Sequence, residues 1–209
     1  MNQGSLKIYK PFGPSVAKVT MPTELVDALN KYTEEVINDQ KKSENLNWGD
    51  NLVGAVTQEF ELEREFMDKI KWNEFISAGV RAWIFNSQKK KITEFNPMTT
   101  WIVRQFKNEY NPTHHHNGHI SGVGYLKVPK KNHEINNKNR YDGQLQLIHG
   151  SKAFLSDSTF TVEPKVGEFW FFPHYLMHTV YPFKNSDEER RSISFNARVD
   201  DKIFNIFDL

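Results

Sequence analysis

The sequence predicts a mainly β (α+β) protein, with a β-sandwich or jelly-roll core in its second half and helices packed outside it. Three observations predict this. Seven short β-branched or aromatic segments follow Asn96-Pro97, punctuated by Gly, Pro, Asn and Asp. The first half instead carries apolar residues at helical spacing. Aromatic content reaches 13%, with 16 Phe, which suits a wide aromatic-lined interior.

Element by element, "SLKIYKPFGPSVAKVTMP" reads as two short strands broken by Pro-Phe-Gly-Pro. "TELVDALNKYTEEVIND" places Leu25, Leu29, Tyr32 and Val36 on one helical stripe, with Thr23 as N-cap. "KKSENLNWGDN" reads as a polar loop. "TQEFELEREFMDKI" and "WNEFISAGVRAWIFNSQ" both read as helices, the second burying Trp72, Phe75, Ile76, Val80 and Trp83. Asn96-Pro97 marks a break. The strands that follow are "TTWIVRQF", "ISGVGYLKV", "GQLQLIHG", "STFTVEP", "GEFWFFP", "MHTVYPF" and "RRSISFNARV". Residues 129–143, "PKKNHEINNKNRYDG", form a polar surface loop that could serve as a lid. The 209 residues suit one domain, with a mostly helical support region at 1–97 and a jelly-roll core at 98–209.

A net charge of +1, with Lys and Arg spread along the chain, does not form the basic face of a nucleic-acid binder. No cysteine is present, so disulfides and thiolate metal sites are excluded. The absence of an apolar leader or membrane-length run leads us to expect a soluble, cytoplasmic protein.

Four of the eight histidines fall within "HHHNGH". Alternation along a strand aims His114 and His116 at one point and turns His115 away. Alone, such a cluster reads equally well as a solvated loop. His178 opens the strand "HTVYPF" after the aromatic run "GEFWFFP", and reads as a third ligand; His174 reads as a turn residue. His119, His133 and His149 are left with structural or surface roles. On "ERRSISFNARV", Arg190, Ser192, Ser194 and Asn196 share one face, while Arg191, Ile193, Phe195 and Ala197 share the other. A guanidinium buried inside a barrel needs an anion. A bound dicarboxylate, held by the Arg190 fork and the Ser192 hydroxyl, would supply it. An exposed edge strand, with its arginines paired to Asp187, Glu188 or Glu189, is the competing reading.

His-x-His, a later His, and Arg-x-Ser beyond it resemble the ligand order of the iron(II)- and 2-oxoglutarate-dependent oxygenases. "HHHNGHISGVGYL", "GEFWFFPHYLMHTVYPF" and "RRSISFN" are similar to the motifs of a bacterial and phage subgroup of these enzymes, over roughly residues 98–198. The resemblance implies a double-stranded β-helix open at one end. It implies iron(II) on His114, His116 and His178, with His116 where most members carry a carboxylate. It further implies 2-oxoglutarate on Arg190, assisted by Tyr125, with Gln105 as a further cofactor contact. By its residues alone, Tyr125 could equally be an aromatic of the core. The reaction implied consumes O2 and 2-oxoglutarate, releases succinate and hydroxylates a C–H bond, prolyl groups being the commonest target. Two alternatives stand beside it: a three-His cupin dioxygenase, which would need neither Arg190 nor 2-oxoglutarate, and a non-catalytic metal- or ligand-binding jelly roll. The cupin match lacks the glutamate expected after the first His-x-His and has Tyr175 in place of a glycine.

Overall fold

In the computed structural model, residues 6–9, 13–49, 52–130, 140–184 and 186–205 are described. Of the expected loop at 129–143, positions 131–139 lie outside them.

Two antiparallel sheets face each other. The larger runs in the order β1 (Lys7–Tyr9), β2 (Val16–Thr20), β9 (Glu168–Pro173), β6 (Ile120–Lys127), β11 (Arg190–Val199), β4 (Phe95–Gln105), β3 (Gln58–Glu61). The smaller runs β5 (Asn111–His114), β10 (Met177–Val180), β7 (Leu145–Ile148), β8 (Thr159–Val162). Four central strands of the large sheet and the four of the small one make the jelly roll. The first half does more than pack outside this core. Its β1–β2 hairpin joins one edge of the large sheet through β9, and β3 joins the other edge through β4.

The large sheet is buried on both faces, which explains its nearly unbroken apolar strands. On β9, Phe169 and Phe171 pack with the helical layer, while Trp170 and Phe172 point between the sheets. On β11, Ile193, Phe195 and Ala197 likewise face the helices. That layer is α1 (Thr23–Asn38) and α4 (Trp72–Gln88). Leu25, Leu29, Tyr32 and Val36 of α1, with Trp72, Ile76, Val80 and Trp83 of α4, are buried against the sheet, whereas Phe75 is partly buried. Each such apolar side chain contributes about 1.5–3 kcal/mol on full burial. Gly79 lets α4 approach closely, because a Cβ there would stand 2.6 Å from the Phe171 ring.

Several local expectations differ from the structure. Thr23 does not cap α1; it is the first helical residue, and Pro22 precedes it with no side-chain cap. The proline's fixed φ of −55° sets the entry, and its carbonyl accepts from Leu25 and Val26. Just before the expected polar loop, Asp39 accepts from the Lys42 N–H and starts the short helix α2 (Gln40–Asn45), which takes up the first residues of that loop. "TQEFELEREFMDKI" divides into strand β3 and helix α3 (Arg64–Lys69), because Glu59 and Phe60 are buried on opposite faces beside the edge of β4. The break expected at Asn96-Pro97 does not occur. β4 passes through it where the pairing with β11 shifts register between Asn196 and Ala197, and a proline is tolerated at such an irregularity. β5 and the terminal turn α5 (Asp201–Phe204) carried no sequence signal that we used.

Candidate metal and cosubstrate site

β5 and β10 lie side by side with His114 directly opposite His178. Opposed residues of an antiparallel pair share a face, so both imidazoles point into the space between the sheets. β5 ends at His114. His116 follows in the loop, where its N–H donates to the His174 carbonyl at 3.1 Å and holds the turn in place. The three rings gather with centroids 4.3–5.0 Å apart, and one nitrogen of each lies within 4.8 Å of the others. His115 is exposed, as alternation requires.

Hydrogen bonding fixes which nitrogens are basic. Nδ1 of His114 meets the Pro112 carbonyl at 2.7 Å, and Nδ1 of His178 meets that of Leu176 at 2.8 Å. A carbonyl only accepts, so both Nδ1 atoms carry protons and both Nε2 atoms keep lone pairs. Nε2 of His178 stands 3.1 Å from Nε2 of His116. Two nitrogens bound side by side to one ion, each at about 2.0–2.1 Å, would be about 3 Å apart. Burial, reinforced by the neighbouring imidazoles, depresses His116 to about 2 and His178 to about 3. Burial also pulls His114 down. Three neutral imidazoles with convergent lone pairs therefore fit a divalent transition metal.

The imidazoles line a cavity of ≈ 430 Å³, together with Trp101, Val123, Phe172, Arg190, Ser192 and Asn196 among others. Arg190 is 2% exposed and has no carboxylate partner among the described residues. Its Nη1 donates to Gln105 Oε1 at 2.9 Å, whereas Nε and Nη2 make no hydrogen bond of good geometry. Its guanidinium carbon lies 5.1 Å from the centre of the Tyr125 ring, and the buried Tyr125 hydroxyl also lacks a partner. Burial pulls Arg190 downward and pushes the Tyr125 phenol upward, while the attraction between the two neighbouring groups works against both shifts. Unsatisfied donors on a wholly buried cation are costly, and a small carboxylate would satisfy them. The residues present thus fit both a metal and an anionic cosubstrate.

Adjacent Arg191 is different. It points to the opposite face, where Glu189 and Glu34 take its guanidinium at 2.7–2.8 Å. The competing reading of paired arginines thus describes Arg191 and not Arg190. Gln105 supports the cation: its amide nitrogen donates to the Glu109 and Tyr181 carbonyls, and its oxygen accepts from Arg190. Ser192 and Asn196 line the cavity on the face that alternation assigned, and Asn196 accepts from Ser121 at 2.7 Å. His174 lies in the turn after β9, and His119 stacks on Phe204 with centroids 3.8 Å apart. Sequence reasoning missed three wall residues. Trp101 meets the His116 ring edge-on at 5.6 Å, and Trp48 and Glu59 close the outer wall. The alternation Gln-Glu-Phe-Glu was the signal that could have found Glu59.

Comparison with known proteins gives the site its chemical context. Residues 99–196 match the family described as "Putative 2OG-Fe(II) oxygenase". The matched stretch spans the jelly-roll core, a little under half of the chain, and makes that core similar to the 2OG-Fe(II) oxygenases. Members of that family use iron(II), 2-oxoglutarate and O2, and the matched segment of this chain carries the three-histidine centre and the arginine pocket. A prolyl-4-hydroxylase from Pseudomonas putida shares the fold at a TM-score of 0.55 and 16% identity, covering 94% of each chain. A viral collagen prolyl hydroxylase from Paramecium Bursaria Chlorella virus-1, solved with 2OG, gives a TM-score of 0.51 and 16% identity over 87% of this chain and 94% of that one. HygX from Streptomyces hygroscopicus, solved with nickel and 2-oxoglutarate, gives a TM-score of 0.55 and 9% identity over 93% of this chain and 82% of its own. No curated protein matched the chain. Among the described residues, no helix is long and apolar enough to cross a membrane.

Proposed function

We propose that the oxygenase hydroxylates a C–H bond of a small or peptidyl acceptor, holding iron(II) on His114, His116 and His178 and 2-oxoglutarate on Arg190. One observation carries this reading: a fully buried guanidinium with two unpartnered nitrogens opens on the same cavity as three converging imidazoles. A cupin-type dioxygenase, or a module that binds metal alone, would have no use for that cation.

When bound, the metal and cosubstrate would supply the oxidising power, with O2 consumed and 2-oxoglutarate converted to succinate and CO2. The protein's own residues position and protect. Pro112 and Leu176 carbonyls lock two imidazoles in the tautomer that presents Nε2. Gln105 fixes the Arg190 fork, and Tyr125 and Ser192 supply hydroxyls beside it. Trp101, Val123 and Phe172 keep the surrounding wall apolar, which strengthens the charge interactions within. A prolyl acceptor is the first to test, since two proteins of the same fold bear that activity in their names.

The test is succinate release from 2-oxoglutarate with iron(II) and O2, with and without prolyl peptides. Metal-dependent release that Arg190→Ala abolishes is expected. Binding of metal and 2-oxoglutarate without any turnover would favour the passive module.

A further inference from the structure

At the outer wall of the cavity, Glu59 stands on β3, 2% exposed. Its Oε2 has no hydrogen-bond partner, and among the described residues no Lys or Arg forms an ion pair with it. Pairing registers place Glu59 opposite Val103, Val103 opposite Ser192, and Ser192 opposite Tyr125. Directly opposed residues share a face, so the carboxyl group points to the cavity side of the sheet. Two strand spacings separate it from Ser192, about 10 Å along the sheet. It is not among the donors that gather within 4.8 Å around the imidazoles.

Structural needs do not explain a lone buried carboxyl group there. Folding alone would favour an apolar residue at that position. Burial pushes Glu59 up to about 7, and nearby Glu109 adds negative charge to that effect where a compensating cation would be expected. Trp48 and Trp101 line the same cavity. Indole faces favour alkylammonium and guanidinium groups.

We propose that Glu59 determines specificity for the acceptor by receiving a basic nitrogen, an ammonium or guanidinium group, about 10 Å along the sheet from Ser192, the neighbour of the cosubstrate anchor on the same strand face. This rests on the oxygenase reading and adds to it a class of substrate. A donor entering from the substrate satisfies the buried Oε2, while an acceptor with a neutral side chain leaves it unsatisfied.

The test is calorimetric titration of the cobalt(II)- and 2-oxoglutarate-loaded protein with charged and neutral probes of matched shape. Nα-acetyl-lysine methylamide is compared with its norleucine analogue, and Nα-acetyl-arginine methylamide with its citrulline analogue. One charged probe is expected to bind about tenfold or more tightly than its neutral match, the size of a charge-assisted hydrogen bond. In E59Q, which keeps the shape of the side chain, that preference is expected to shrink to about threefold or less. Equal or absent binding of charged and neutral probes to the unaltered protein overturns the proposal, as does a preference that survives E59Q. A separate titration of 2-oxoglutarate distinguishes the two levels. A protein that takes up 2-oxoglutarate but does not discriminate loses this proposal alone; one that takes up none loses the parent reading with it.

Discussion

Across the β4–β11 pair, Arg190 stands directly opposite Gln105 and donates Nη1 to its Oε1 at 2.9 Å. Gln105 is itself fixed by two backbone carbonyls. The buried cation is therefore oriented before any anion arrives, with Nε and Nη2 free.

Arg190→Ala should weaken 2-oxoglutarate binding by about 10- to 100-fold, because hydrogen bonds to charged groups contribute about 1.5–3 kcal/mol. Metal binding should persist. Gln105→Leu should weaken the same binding by about threefold to tenfold, since it loosens the fork without removing the charge. Calorimetry on the metal-loaded protein measures both; unchanged affinity in Arg190→Ala would remove the anchor.

Tyr125→Phe separates a ligand contact from a packing role. The buried hydroxyl lacks a partner, so removing it should leave the unfolding midpoint of the ligand-free protein level or slightly higher. If the hydroxyl reaches the cosubstrate, affinity for 2-oxoglutarate should still fall by about fivefold to tenfold. Loss of stability with unchanged affinity would make Tyr125 a core aromatic only.

His178→Ala should abolish stoichiometric metal binding, because it removes a ligand held rigidly opposite His114. His116→Asp restores the carboxylate that most superfamily members carry and should retain the metal. Cobalt(II) or nickel(II) titration reads both, and full metal affinity in His178→Ala would disprove the three-imidazole centre.

Acidification should destabilise the metal-free protein in a defined window. The ordinary histidine value is 6.5, whereas the folded values are about 2 for His116 and about 3 for His178. Between those limits the unfolded chain binds more protons, so stability is full above 6.5 and falls as pH drops toward 3. His116→Asn should flatten the unfolding midpoint against pH between 7 and 4. A slope identical to that of the unaltered protein would contradict this assignment.

Glu189 bridges Arg104 and Arg191, and the Arg191 side chain is 0% exposed. Glu189→Ala should cost about 3–5 kcal/mol in a denaturant titration, since it strips a buried cation of its main partner. Although burial works against it, the two arginines hold Glu189 below its ordinary 4.5. Its contribution is therefore present above 4.5 and lost as pH falls below that value, at the acid end of the histidine window.

The sequence by itself determined the parts that depend on local periodicity. Alternation along "RRSISFNARV" put Arg190, Ser192 and Asn196 on one face, and the 3.6-residue stripe of α4 marked its buried side. Hydropathy could not choose between helix and strand for "TQEFELEREF". Only the free edge of β4 drew Glu59 and Phe60 into a sheet, and only the bulge opposite Pro97 let β4 continue through it. Alternation put the two arginines on opposite faces, but tertiary structure alone decided that Glu34 reaches Arg191 while Gln105 and no carboxylate holds Arg190 among the described residues. Those outcomes depend on groups 85 to 157 positions away in the chain, and no local pattern encodes such distances.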